Sequence, residues 1–281
     1  MTQRHLALTI SYDGTGFSGS QIQRGVRTVQ GELDKALAVL ARGGIRTVFA
    51  GRTDRGVHAA GQVVGCRDFR ANLEDDEIRE AINHSLPRDI AVLAVQRKDA
   101  QFHARHDARW REYRYRLWSG RPQPLASRYS FGRSGRFDLD LMGAAARNVV
   151  GTRDFASIVG NGQGVPWSRR KMSPRGTIRS VLRCECRRVE PWWGPVDVLD
   201  GALFELEVVA DGFLPQMVRN LMSLIIEVGR GARTLGWMEE VLSKCDRRTG
   251  VATAPAHGLT LWRVGYSPFV VDETSVRSVS C

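Results

Sequence analysis

From His5 to Tyr12 apolar and polar side chains alternate, which predicts a strand with one buried face, and Asp13-Gly14 ends it. Thr28 then precedes Val29, Leu33, Leu37 and Leu40, apolar at three- and four-residue steps, so a capped helix is expected to run to about Gly43-Gly44. Short apolar runs at 45–50 and 59–66 predict two consecutive strands, 75–86 a second helix, and Ile90–Val95 another strand. The order is βαββαβ.

The same order recurs further on. Arg111–Trp118 reads as a strand, 138–150 as a helix, and 177–189 and 201–210 as alternating strands. Met217, Leu221, Leu224, Ile225 and Val228 make one apolar helix face, Trp237–Leu242 suggests another helix, and Leu259–Val264 closes with a strand. The expected class is α+β, with two ferredoxin-like (split βαβ) halves at 1–105 and 106–268. Their antiparallel sheets are expected to join edge to edge into one extended sheet, with helices on one face and a basic cleft on the other. The stretches 119–136 and 160–176 are turn-rich and read as loops, while 269–281 lacks periodicity and reads as a disordered tail. No repeat is legible residue by residue, so the duplication rests on element order alone.

Composition narrows the function. With 281 residues, 42% of them hydrophobic, the chain can bury a sizeable core, and its net charge of +11 suits a polyanionic partner or a highly soluble surface. Met1–Ile10 is too short in apolar residues for a signal-peptide core, no run approaches membrane-spanning length, and a cytoplasmic protein is expected. Cys66, Cys184, Cys186, Cys245 and Cys281 show no CxxC spacing, which argues against a disulfide framework or a zinc site. Cys184 and Cys186 would share one strand face as small packed thiols.

Two glycine-rich segments compete for attention. Gly14-Thr15-Gly16-Phe17-Ser18-Gly19 matches GxGxxG after a strand, but a dinucleotide site needs a helix to open at these glycines, and the helical pattern waits until Thr28. A flexible loop is the expected role. Gly51-Arg52-Thr53-Asp54-Arg55-Gly56-Val57-His58 packs two arginines, a carboxylate and a histidine between two apolar runs, an arrangement able to aim Asp54 into a cleft with an arginine beside it. On composition alone the same residues also suit a turn cap or a surface ion pair.

Gly51 to Ala59 resembles the active-site motif of TruA-type tRNA pseudouridine synthases, and further segments agree in order. These are Tyr12-Asp13-Gly14-Thr15 with Phe17 and Gly19, Gly61-Gln62-Val63, Phe102-His103-Ala104-Arg105, Arg111-Glu112-Tyr113-Arg114-Tyr115 and Asp154-Phe155. Arg175-Gly176-Thr177-Ile178, Met217-Val218-Arg219-Asn220, Glu227-Val228-Gly229 and Ala254–Leu259 follow. The resemblance implies two ferredoxin-like halves, a homodimer gripping tRNA, and action on uridines at positions 38 to 40 of the anticodon arm. It matches Asp54 to the catalytic aspartate, Arg52 to the arginine paired with it, Tyr113 to the tyrosine under the target base, and Arg175 to a further active-site arginine.

The chemistry suits these residue types. Moving a uracil from an N- to a C-glycosidic link needs one nucleophilic carboxylate, attacking C1′ or C6, and neither metal nor organic cofactor. An arginine stabilises developing charge, and an aromatic ring receives a base flipped out of the stack. Arg169, Arg170, Lys171, Arg175 and Arg179 are candidates for holding RNA phosphates, or form a solvated loop. Arg55 and His58 are further RNA-contact candidates, and His58, like His103, equally suits the scaffold.

Three departures stand out: Ser20 where the family usually carries tryptophan, Arg55 where a small residue is usual, and Pro215-Gln216 where aromatic or histidine residues commonly stand. A non-catalytic RNA-binding protein, its pocket blocked by Arg55, or a divergent synthase with a different RNA target, is the alternative. The zinc elements of a base deaminase are missing, and no second acid near Asp54 supports a glycoside hydrolase.

Overall fold

A computed structural model describes residues 4–160, 176–194, 199–246 and 252–270. The first half runs β1 (His5–Tyr12), α1 (Val29–Ala41), β2 (Val48–Phe49), β3 (His58–Arg67), α2 (Asp75–Ser85) and β4 (Ile90–Lys98). The second runs β5 (Trp110–Gly120), β6 (Phe131–Gly132), α3 (Leu139–Asn148), β7 (Gly151–Asp154), β8 (Ile178–Val189), β9 (Gly201–Ala210), α4 (Met217–Gly229), α5 (Leu235–Ser243) and β10 (Leu259–Gly265).

All the strands belong to one sheet, in the order β4-β1-β3-β10-β5-β9-β8-β7, with β2 on β3 and β6 on β5. In the first half β3 lies antiparallel between β1 and β2, the split βαβ plan. In the second half β9 lies antiparallel between β5 and β8 in the same way. The halves meet where β10 runs parallel to β3 through only two residue pairs, Thr260 with His58 and Leu261 with Ala59. The expected edge-to-edge sheet is therefore present, and its seam falls where the Asp54 motif ends.

Local sequence explains the elements. The Thr28 hydroxyl accepts from Gly31 N–H at the start of α1, whose Val29, Leu33 and Leu37 are fully buried. Glu74 and Glu77 form a capping box on α2. α4 is apolar nearly all round because it is covered by β5, α3 and α5. Truncating Leu221 or Leu224 there costs about 2–5 kcal/mol. Cys184 and Cys186 sit on one face of β8, and burial pushes the Cys186 thiol up to about 12, as packed thiols require.

Two expectations change. The strand at 45–50 shrinks to Val48–Phe49, because the chain turns at Ala50 into the Asp54 loop. The cleft does not lie on the face opposite the helices. On β5, Tyr113, Tyr115 and Leu117 face the core shared with α4, and Tyr113 lines the cavity together with Met217 and Val218 of α4. The cleft thus opens on the helix side, between the helices of the two halves.

The opposite face carries Glu112, Arg114 and Arg116 of β5 by strand alternation. Arg114 pairs with Glu112 at 2.8 Å, Arg116 with Glu205 at 3.0 Å and Arg187 with Glu205 at 2.7 Å, while Arg183 pairs with Glu207. Trp262 stacks on this lattice, 4.1 Å from the Arg114 guanidinium.

Candidate active site

The loop from Ala50 to Val57 is fixed along its length. The Gln62 amide accepts from Gly51 N–H at 3.1 Å and donates to Gly51 carbonyl at 2.7 Å. Thr53 is buried, with its hydroxyl 2.8 Å from the Tyr12 phenol, and burial pushes that phenol up to about 12. Past Asp54 the chain turns through Gly56 at φ +78°, a left-handed conformation that suits glycine, and Val57 N–H donates to Asp54 carbonyl at 3.1 Å. Only Asp54 and its flanking arginines break out of this packing. The Asp54 side chain is 46% exposed.

Facing it is the first turn of α4. Arg219 donates through Nε to Ala254 carbonyl at 2.7 Å, and its Nη1 lies 3.5 Å from Asp54 Oδ2. The pair joins the two halves across 165 positions of sequence. The positive end of the α4 dipole lies on the same wall, so negative charge is favoured there twice over.

Between these walls is a cavity of about 620 Å³, lined by Asp54, Arg52, Arg105, Arg111, Tyr113 and Phe213 among others. That volume is within the range of small-molecule sites. Tyr113 is buried edge-on to Phe213, with ring centres 5.0 Å apart. Burial raises its phenol well above the ordinary value, with Tyr12 and Asp54 adding to the shift and Arg111 opposing it. The hydroxyl therefore stays protonated at neutral pH. Gly51 lies against it, since a Cβ there would come 3.8 Å from the Tyr113 oxygen.

The arginines divide by partner. Arg111 donates to the carbonyls of Ala50, Arg105, Ala108 and Asp211, stitching the Asp54 loop to both halves, and burial lowers its pKa. Arg52 lines the cavity, and burial followed by the like charge of Arg105 lowers its pKa. The guanidinium at ion-pair distance from Asp54 is that of Arg219, whereas Arg52 was expected to supply it. The Met217-Val218-Arg219-Asn220 segment carries the family resemblance without singling out Arg219. An arginine in the first turn of an otherwise apolar helix was the available signal.

Arg179 lines the cavity and donates to Gly176 carbonyl at 3.0 Å. Arg169, Arg170, Lys171 and Arg175 lie outside the described residues. Arg55 is exposed at the turn and is not among the cavity-lining residues, so it does not plug the pocket.

His58 is enclosed. Nδ1 accepts from Gly14 N–H at 3.0 Å, and Nε2 lies 3.0 Å from Arg128 carbonyl and 3.2 Å from His257 carbonyl, the pattern of a neutral ring protonated on Nε2. Burial lowers its pKa, against the pull of Asp13. Both ring nitrogens are thus spent on the scaffold, which leaves His58 no free edge for RNA. Gln216 holds a left-handed backbone at φ +58° and packs on Gly160, so the Pro215-Gln216 departure shapes the cavity wall.

Among the described residues no group of three or more His, Cys, Asp or Glu side chains is placed to hold a metal ion, and no helix is long and apolar enough to cross a membrane.

A family profile described as tRNA pseudouridine synthase matches residues 8–107 and 145–267. The chain is 38% identical over 281 residues to the tRNA pseudouridine synthase A of Geobacillus kaustophilus, covering 99% of each chain. It is 40% identical to that of Nitratidesulfovibrio vulgaris, over 93% of this chain and 99% of the relative. Against the Mycobacterium leprae protein it is 39% identical over 98% and 93%. With a loop, a cavity and relatives that agree along nearly its whole length, the chain belongs to the tRNA pseudouridine synthase family.

Proposed function

We propose that this enzyme converts uridine to pseudouridine in tRNA, at positions 38 to 40 of the anticodon arm, with Asp54 as the nucleophile. The observation that carries the reading is the Asp54–Arg219 pair at the mouth of a cavity floored by Tyr113. A flipped uridine enters with its base against Tyr113 and its ribose beside the carboxylate. Attack by Asp54 breaks the N1–C1′ bond; the released uracil turns, C5 bonds to C1′, the carboxylate departs, N1 takes a proton and C5 gives one up. Atoms balance without redox change. Arg219 steadies the carboxylate before attack and after release, and the protonated Tyr113 hydroxyl serves as a hydrogen-bond donor to the turning base.

The same reading places the protein in the cytoplasm with tRNA, working as a homodimer, and assigns Arg52 and Arg105 to the substrate's phosphates. The test is to incubate purified protein with unmodified tRNA and no cofactor, then map pseudouridine, using wild type and Asp54→Asn. Wild type is expected to modify 38–40 and the variant to bind tRNA yet form no product. Product from Asp54→Asn, or a wild type that binds and never isomerises, overturns the reading.

A further inference from the structure

The segment Gly14 to Gly19, expected to be a flexible loop, is the bed on which the Asp54 loop rests. Gly14 to Gly16 form a short 3-10 turn, and a Cβ on Gly14 would lie 2.1 Å from Val57 carbonyl oxygen. Gly19 sits at φ +101°, and a Cβ there would come 3.0 Å from Thr53 carbonyl oxygen. The glycines are spent on backbone-to-backbone contact, the use for which a missing side chain is required.

At the end of this bed stands Ser20, 1% exposed. Its N–H donates to Thr53 carbonyl at 3.0 Å, and its hydroxyl oxygen accepts from Thr53 N–H at 2.9 Å. One residue thereby satisfies both backbone groups of the residue before Asp54. On its other side Ser20 carbonyl accepts from Gln30 N–H at 2.9 Å and Gly19 carbonyl from Val29 N–H at 3.3 Å. Those are first-turn donors of α1 that the helix itself leaves unpaired. Ser20 therefore couples a rigid helix end to the catalytic loop.

Resting on the reading of Asp54 as nucleophile, we propose that Ser20 is a positioning residue that sets the reach of Asp54 by clamping the Thr53 peptide. A side chain without an acceptor oxygen at this place would leave Thr53 N–H unpaired, so the serine hydroxyl is this chain's means of holding the loop. Loss of the hydroxyl leaves a buried N–H without its partner, and the Thr53 peptide shifts to find one. Asp54 is attached directly to that peptide.

The experiment measures single-turnover pseudouridine formation at saturating enzyme, tRNA affinity, melting temperature and hydrogen exchange at the Thr53 amide. Wild type, Ser20→Ala, Ser20→Cys and Ser20→Thr are compared, with Asp54→Asn in parallel. A displacement near 1 Å can cost about a hundredfold, so Ser20→Ala and Ser20→Cys are expected to lose about tenfold or more in rate. Affinity should stay within about twofold, since binding is not the function removed. Thr53 exchange should quicken, and Ser20→Thr, which keeps the hydroxyl, should restore most of the rate.

A Ser20→Ala protein with the wild-type rate overturns the proposal. So does an equal loss in the alanine and threonine variants tracking a fall in melting temperature, because Ser20 then only fills space. Should Ser20→Ala not fold, Ser20→Cys, a weak acceptor of similar shape, is read in its place. Product from Asp54→Asn brings down the nucleophile reading; an inactive Asp54→Asn beside a fully active Ser20→Ala brings down the clamp alone.

Discussion

On the sheet face away from the helices, Arg114, Arg116, Arg183 and Arg187 lie among Glu112, Glu205 and Glu207, each glutamate side chain 5% exposed or less. On the helix side, Arg52, Arg105 and Arg111 line a cavity in which Asp54 is the carboxylate at the mouth. Strand alternation puts the two sets a residue apart on β5, where Arg111 and Tyr113 face the cavity and Glu112 and Arg114 face the lattice. In the lattice every arginine meets a glutamate, four against three, and the pairs act as cross-strand glue. In the cavity Arg52 lies near Arg105, and burial first, then that like charge, lowers its pKa. A net charge of +11 therefore does not by itself locate an RNA site.

Substitutions on the two faces should separate cleanly. The largest effect is expected from Arg219→Leu, which removes the only cation within ion-pair distance of Asp54 among the described residues. Single-turnover rate should fall about 10²–10³-fold, with melting temperature lowered modestly because the Ala254 carbonyl loses its Nε donor, and a rate within threefold of wild type would break the contrast. On the other face, Glu205→Leu takes from Arg116 its glutamate partner and leaves Arg187 only Glu207, and should cost about 1–3 kcal/mol in denaturant unfolding. The rate of its folded fraction should not change; a loss of rate at full stability would mean that the lattice reaches the chemistry.

Tyr113→Phe keeps the ring and deletes the donor, so a modest loss is expected, about tenfold in rate, against a much greater one for Tyr113→Ala. Equal losses in both would assign the role to the hydroxyl rather than the ring.

The smallest effect concerns pH. Burial lowers the His58 and His257 pKa values below 6.5, so between that value and the folded-state values the unfolded chain binds more protons. Stability should be full above pH 6.5 and fall as pH drops through this window. Melting temperature against pH should show the slope in wild type, and a flatter slope in His58→Gln.

Periodicity made most of the fold legible: α1 and α4 announce themselves by apolar spacing, and β1, β8 and β9 by alternation. The seam did not, because two residue pairs between β3 and β10 leave no pattern in either strand. The face on which the cleft opens was misjudged for a related reason. Which side of β5 meets α4 depends on packing between segments a hundred positions apart, and both sides of the strand carry aromatic or charged residues. Asp54 and Tyr113 were legible through motif resemblance, whereas the partnership of Asp54 with Arg219 is a property of the closed fold. Ser20 looked like a defect in a motif until its two bonds to Thr53 were on view.

The narrowness of the seam has a mechanical corollary. Asp54 hangs from one half and Arg219 from the other, and only Thr260–His58 and Leu261–Ala59 bridge the two strands there. Further bonds cross the same join, from Arg111 to the Ala50 carbonyl and from His58 to the Arg128 and His257 carbonyls, so the gap between acid and guanidinium is fixed only when both halves are docked. The distance within the pair therefore reports how the two halves sit against each other, and neither half alone holds both of its members.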